Sequence, residues 1–273
     1  ISTRDWSSDV CSSDLAGRFL VEERPAVLAR DTKSSPTDVV TEMDRASESL
    51  LRDLILDRRP DDGILGEEGG ERVGSSGVRW VIDPIDGTTN YLYGLPVWAV
   101  SVGVELDGET VFGVVDAPAV GRTYWARAGA GAFEEPAQGL QIPARRLRAS
   151  AQSDLAHALV STGFGYDAGV RARQAEDMRG IAPHVRDIRR MGAASLDLAW
   201  VGAAYIDAYY ETGLHAWDLS AGSLIAREAG AIVQTRHLQE DSASAATGLS
   251  IAAAPGIFEQ FSELLTRAGA LGS

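Results

Sequence analysis

Apolar positions along this chain switch repeatedly between a helical and an extended period, which predicts a mixed α/β protein. Phe19, Leu20, Ala26, Val27 and Leu28 mark a first helix over residues 16–30, broken or kinked at Pro25. A loop at residues 31–36 leads to an extended piece at Val39 and Val40. A helix capped by Thr41 or Asp44 then runs to Arg58, with Met43, Ala46, Leu50, Leu51 and Leu54 expected on its inner face. Ile64-Leu65 and Trp80-Val81-Ile82 read as buried strands. Val100, Val102, Val104 and Leu106 alternate with Ser101, Gly103 and Glu105. Asp107-Gly108 predicts a hairpin, and residues 111–115 form the return strand. Residues 123–126 extend the sheet, residues 129–133 bend it, and Gln141-Ile142 is a further short strand.

The second half alternates strands and helices. Strands are expected at residues 158–161, 185–190, 205–210, 231–233 and 249–253, with a polar helix over 170–182 and a terminal helix over 257–267. Residues 193–204 are apolar almost all round, the mark of a buried helix. Asp218 is placed to cap a helix over 219–228 that turns Leu224 and Ile225 inward and ends at Gly230. These segments divide into residues 16–150 and 151–273. Residues 1–15 are serine-rich, lack a helical period and resemble a translated sequencing adaptor, so they are expected to be a non-native tail that replaces part of the first helix.

Composition narrows the function. The 273 residues carry a net charge of −14, which argues against nucleic acid as the main partner. The one cysteine, Cys11, permits no intrachain disulfide, and no run of residues has the length and apolarity of a membrane span. A cytoplasmic protein without membrane contact is expected. The histidines 157, 184, 215 and 237 are scattered, and no Gly-x-Ser-x-Gly elbow occurs, so a covalent nucleophile has little support.

The chemistry centres on residues 80–90, Trp-Val-Ile-Asp-Pro-Ile-Asp-Gly-Thr-Thr-Asn. A buried strand ends there in two carboxylates, Asp83 and Asp86, separated by Pro84. Like charges held together need a cation, and Mg²⁺ takes carboxylate oxygens while leaving positions for water and phosphate. Gly87 and Thr88 then offer backbone N–H groups to an anion. An isolated Asp-x-x-Asp is usually an acidic turn, but the full string resembles the metal signature of the inositol monophosphatase family. Three other segments agree with it: Lys33-Ser34-Ser35-Pro36 through Asp44, Gly66-Glu67-Glu68, and Glu211-x-Gly213 followed by Trp217-Asp218.

The resemblance covers residue 16 to the C-terminus. It implies a layered αβαβα sandwich with two sheets and the site between the halves. It implies that Glu67, Asp83 and the Ile85 carbonyl hold one Mg²⁺, and that Asp83, Asp86 and Asp218 hold a second. A third, weaker ion near Glu67 is a further family feature. Thr88, paired with Asp44, would orient the attacking water, and Lys33 would lie on a loop near the site. Gly87 and Thr88 would bind phosphate, and Asp86, Ala194 and Glu211 would face the substrate. The implied reaction is hydrolysis of a small phosphorylated polyol, foremost myo-inositol monophosphate, by a Li⁺-sensitive homodimer. Histidinol phosphate, fructose 1,6-bisphosphate and 3′,5′-bisphosphate nucleotides are alternative substrates, and an RNA- or transcription-associated regulator is the non-enzymatic alternative.

Overall fold

The computed structural model describes residues 7–25, 28, 30–33, 39–136, 143–237 and 247–270. The chain runs α1 (Ser7–Glu22), β1 (Arg30–Thr32), β2 (Val39–Thr41), α2 (Glu42–Arg58), β3 (Gly63–Gly66), β4 (Gly70–Arg72), β5 (Val78–Asp86), α3 (Thr88–Tyr93), β6 (Ala99–Leu106), β7 (Glu109–Ala117), β8 (Arg122–Arg127), β9 (Gly131–Pro136) and β10 (Arg145–Arg146). It continues through β11 (Leu159–Thr162), α4 (Ala168–Ile181), β12 (Asp187–Arg189), α5 (Ala194–Gly202), β13 (Ala208–Thr212), α6 (Ala216–Glu228), β14 (Ile232–His237), β15 (Thr247–Ala253) and α7 (Phe258–Ala268). The expected apolar points Ala26 and Val27, the part of the loop at residues 34–36 and the strand at Gln141-Ile142 lie outside the described residues.

Two sheets form. One has eight strands in the order β10-β9-β8-β7-β6-β5-β3-β4, and the other has five in the order β12-β11-β13-β15-β14. The larger sheet is antiparallel except where β3 runs parallel to β5. Asp107 and Gly108 take φ of 53° and 85°, the positive pair a tight hairpin turn requires, and join β6 to β7. Helices α1 and α2 cover one face of the larger sheet. Helices α5 and α6 fill the space between the sheets, and α4 and α7 cover the far face of the smaller one. Four apolar clusters lie between these five layers, centred on Trp80 and Leu51, on Tyr124 and Leu196, on Tyr209 and Leu198, and on Phe261 and Val160. This is the expected αβαβα sandwich.

Helix α6 sits unusually close to the larger sheet. Gly103 and Gly113 are register partners on β6 and β7. A Cβ on Gly113 would lie 2.8 Å from the Ala221 Cα, and one on Gly103 2.1 Å from the Ser220 Oγ. The pair of glycines therefore makes a flat seat for the helix whose first turn carries Asp218. Gly113→Ala is expected to cost about 2 kcal/mol by overpacking, read in a thermal melt as a Tm lower by about 5 °C. An unchanged Tm would show that α6 does not need this close approach.

Three sequence expectations are corrected. Helix α1 begins at Ser7 rather than at residue 16, and Ser12, Ser13 and Asp14 are buried. These residues lack an apolar stripe, so docking on the sheet, not their own periodicity, sustains the helix. Residues 205–207 precede β13 instead of forming its start, after Ala204 turns the chain at φ 60°. Helix α2 buries Met43, Asp44, Ser47, Glu48, Leu51 and Ile55, so its inner face is rotated away from Leu50 and Leu54 and is half polar. The buried polar residues are those that meet the functional site.

Candidate active site

Strand β5 is buried along nearly its whole length and ends at the centre of the site. In a regular strand, residues three apart point to opposite faces. Here Asp83 pairs with Ser101 and Asp86 with Ala99, so β5 carries one extra residue across Pro84-Ile85. This bulge turns Asp83 and Asp86 to the same side. Both are buried, at 2% and 6% exposure. Glu67 joins them from β3, because the parallel ladder continues one step past Gly66 and the Glu67 N–H donates to the Ile82 carbonyl at 3.2 Å. Asp218 arrives from the first turn of α6. Carboxylate oxygens of Asp83, Asp86 and Asp218 all lie within 4.8 Å of one another.

Helix N-termini hold these acids. Asp86 accepts the Ala194 N–H at 3.1 Å and the Ser195 N–H and hydroxyl at 2.7 and 2.5 Å, so it caps α5 from across the molecule. Asp218 accepts the His215 N–H at 2.6 Å. His215 is therefore the N-cap and Asp218 stands two residues inside α6, which corrects the expected capping position. Asp44 occupies the same place in α2, accepting the Thr41 N–H and hydroxyl at 2.8 and 2.5 Å. The positive ends of three helices thus offset part of the local negative charge. Asp44 does not line the cleft but reaches it through Thr88, whose hydroxyl lies 2.9 Å from the Asp44 carboxylate and 3.0 Å from the Ile85 carbonyl. Gly87 links β5 to α3 at φ 89°, with Gly192 and Val97 carbonyls 3.0 and 3.1 Å from where a Cβ would sit. Only glycine fits this turn without strain.

A cleft of about 650 Å³ opens over these groups, and Lys33, Glu67, Asp83, Ile85, Asp86, Gly87, Thr88, Ala194, Glu211 and Asp218 all line it. Lys33 pairs with Glu67 at 2.7 Å and with Glu68; the two carboxylates outweigh burial and raise its pKa. Glu211 faces the cleft from β13 and accepts the Tyr209 hydroxyl at 2.7 Å. A Cβ on Gly163 would collide with that carboxylate, so the glycine leaves room for it. Sequence reasoning missed Ser195 and Tyr209. Tyr209 carried a usable signal, since residues two apart on a strand share a face. His215 stacks on Trp217, with ring centres 4.7 Å apart, and both line the same cleft.

The electrostatics call for a cation. Burial, then repulsion from Glu67, Asp86 and Asp218, raises the Asp83 pKa well above the carboxylate range. Burial and Asp218 push Asp86 to about 6, against the Ser195 and Ala194 donors. Burial pushes Glu67 to about 7, with Lys33 opposing. At an effective dielectric of about 20, two full charges this close repel by roughly 3 kcal/mol. Clustered hard oxygen donors fit Mg²⁺ better than a softer metal. These acids have folded-state pKa values above the ordinary unfolded value near 4, so the metal-free fold binds extra protons and loses stability as pH rises through about 4 to 7. The metal-free Tm is expected to fall between about pH 5.5 and pH 8, and added Mg²⁺ should restore it at the higher pH. A metal-free Tm that rises over that interval would contradict the assignment.

Comparison with known proteins shows the family and agrees with the fold. The sequence profile of the inositol monophosphatase family matches residues 9–268. An inositol-1-monophosphatase of Mycobacterium leprae is 46% identical over 240 residues, covering 86% of this chain and 80% of that protein. A Nus factor SuhB of Pasteurella multocida is 40% identical over 204 residues, covering 74% and 73%. Among solved structures, Mycobacterium tuberculosis SuhB superposes with a TM-score of 0.81 at 40% identity, over 97% of this chain and 96% of that one. Among the described residues, no helix is long and apolar enough to cross a membrane.

Proposed function

The chain belongs to the inositol monophosphatase family and is a phosphatase, and from that premise we propose that it hydrolyses myo-inositol monophosphate to inositol and phosphate with two Mg²⁺ ions. The observation that carries the reading is the placement of Glu211, Asp86 and Ala194 on one cleft with the carboxylate cluster. Glu67, Asp83 and the Ile85 carbonyl would hold one ion, and Asp83, Asp86 and Asp218 the other, with a third, weaker position near Glu67. Bound there, Mg²⁺ would neutralise phosphate oxygens and acidify water.

The chain's own residues do the positioning. The Thr88 hydroxyl, hydrogen-bonded to Asp44, orients the attacking water and passes its proton toward the buried carboxylate. The N–H groups of Gly87 and Thr88 hold phosphate oxygens in line for attack. Glu211 keeps one oxygen on Tyr209 and offers the other to a polyol hydroxyl. Lys33 adds positive charge at the mouth of the site.

A panel assay tests the substrate. Purified protein with Mg²⁺ is expected to give the highest kcat/KM on myo-inositol 1-phosphate, ahead of histidinol phosphate, fructose 1,6-bisphosphate and adenosine 3′,5′-bisphosphate, with inhibition by millimolar Li⁺. A higher kcat/KM on any of the other three would replace inositol phosphate as the substrate. The reading extends to a homodimeric cytoplasmic enzyme, and light scattering of the purified protein checks the dimer. The relative named a Nus factor motivates a second reading, association with the transcription apparatus. A net charge of −14 weighs against direct RNA binding, so that role would require a protein partner.

A further inference from the structure

We propose that Glu48 is a positioning residue that sets metal affinity by bracing the loop that carries Glu67. Helix α2 turns this glutamate inward to 2% exposure, although apolar residues were available on the neighbouring face. Both of its oxygens are used on that loop. Oε2 accepts the Glu68 N–H at 2.7 Å, and Oε1 accepts the Gly69 N–H at 2.9 Å. Arg52, one turn along the helix, donates to Oε1 at 3.2 Å and to the Gly70 carbonyl at 3.3 Å, which closes the brace. The loop is shaped to receive it, because a Cβ on Gly66 or Gly69 would stand 2.2 or 2.5 Å from Oε1.

The consequence for Glu67 is geometric. Its own N–H is tied to the Ile82 carbonyl of β5, and the next two N–H groups are tied to Glu48. The backbone is therefore fixed on both sides of Glu67, and its carboxylate is aimed before any cation arrives. The same face of α2 reaches the other ligand-bearing turn, where the Ser47 hydroxyl donates to the Pro84 carbonyl at 3.3 Å. One helix thus sets the spacing between the two segments. Partners that orient ligands without touching the metal are worth about 10–100-fold in affinity.

The inference rests on the reading of Glu67 as a metal ligand, and the test separates the two. Mg²⁺ binding to the purified, substrate-free protein is titrated calorimetrically, and the Tm is recorded in chelator. Glu48→Gln replaces an acceptor oxygen with a donor facing an N–H and is expected to weaken Mg²⁺ binding about tenfold. Gly69→Ala, which displaces the carboxylate while leaving the helix intact, should do the same and stands in if Glu48→Gln does not fold. Ile55→Val, on the same helix away from the loop, should lower the Tm by a few degrees with unchanged affinity. Glu67→Gln must weaken binding at least as much as Glu48→Gln. If Glu67→Gln weakens binding and both Glu48→Gln and Gly69→Ala stay within twofold of wild type, the brace is structural only and the proposal fails. If Glu67→Gln itself binds Mg²⁺ normally, the ligand reading fails and takes the proposal with it.

Discussion

Asp83→Asn is expected to lower kcat by roughly a thousandfold or more. Asp83 is the carboxylate common to both proposed ion sites. It is also the residue at the point where the β5 bulge begins, so no neighbour can substitute for it. The same change should stabilise the metal-free protein. Burial and three neighbouring acids hold the Asp83 pKa well above its usual range, which means that its charge opposes folding near neutral pH. An amide of the same shape removes that charge. The expected result is an inactive variant whose Tm in chelator, at about pH 8, exceeds that of the wild type. A variant that loses activity and stability together would instead make Asp83 a structural residue. Such opposition between function and stability is common where an active site concentrates charge.

Thr88→Ala is expected to lower kcat by about 10²–10⁴-fold while leaving Mg²⁺ affinity within about twofold of wild type. The hydroxyl is not required to hold a cation. Its two hydrogen-bonding neighbours are the buried Asp44 carboxylate and the Ile85 carbonyl, a geometry that fixes its direction. Removing it should leave the carboxylate cluster intact and the attacking water without an orienting group. Thr88→Ser keeps the oxygen and should recover most of the rate. Thr88→Ala with wild-type kcat would remove this residue from the mechanism and shift the role to another group on the cleft.

Much of the site was legible because its chemistry sits in short, local strings. Asp83-Pro84-Ile85-Asp86-Gly87 carries two acids, the bulge and the left-handed turn within five consecutive residues. Its position at a strand end followed from the apolar run before it. The hairpin at Asp107-Gly108 was readable for the same reason, since turn chemistry is local. What stayed hidden depends on residues far apart in the chain. Nothing near Asp86 shows that it caps α5 through Ser195, more than a hundred residues away. Glu48 looks like an exposed helical glutamate until the loop at Glu68-Gly69 is laid against it. The rotation of α2 has the same origin. Periodicity puts apolar residues inside, whereas this helix has to satisfy buried backbone groups of the site, and an unpaired buried N–H costs more than a half-exposed leucine. Residues 7–15 show the converse case, a helix that its own pattern does not announce.

A cation held by the Glu67, Asp83, Asp86 and Asp218 carboxylates is the proposed source of the phosphatase activity. Phosphate release from myo-inositol 1-phosphate by the purified protein, followed with Mg²⁺, after excess chelator and after Mg²⁺ is returned, tests it most directly. Release that stops in chelator and resumes with Mg²⁺ is the predicted result. Undiminished release in excess chelator would contradict the account.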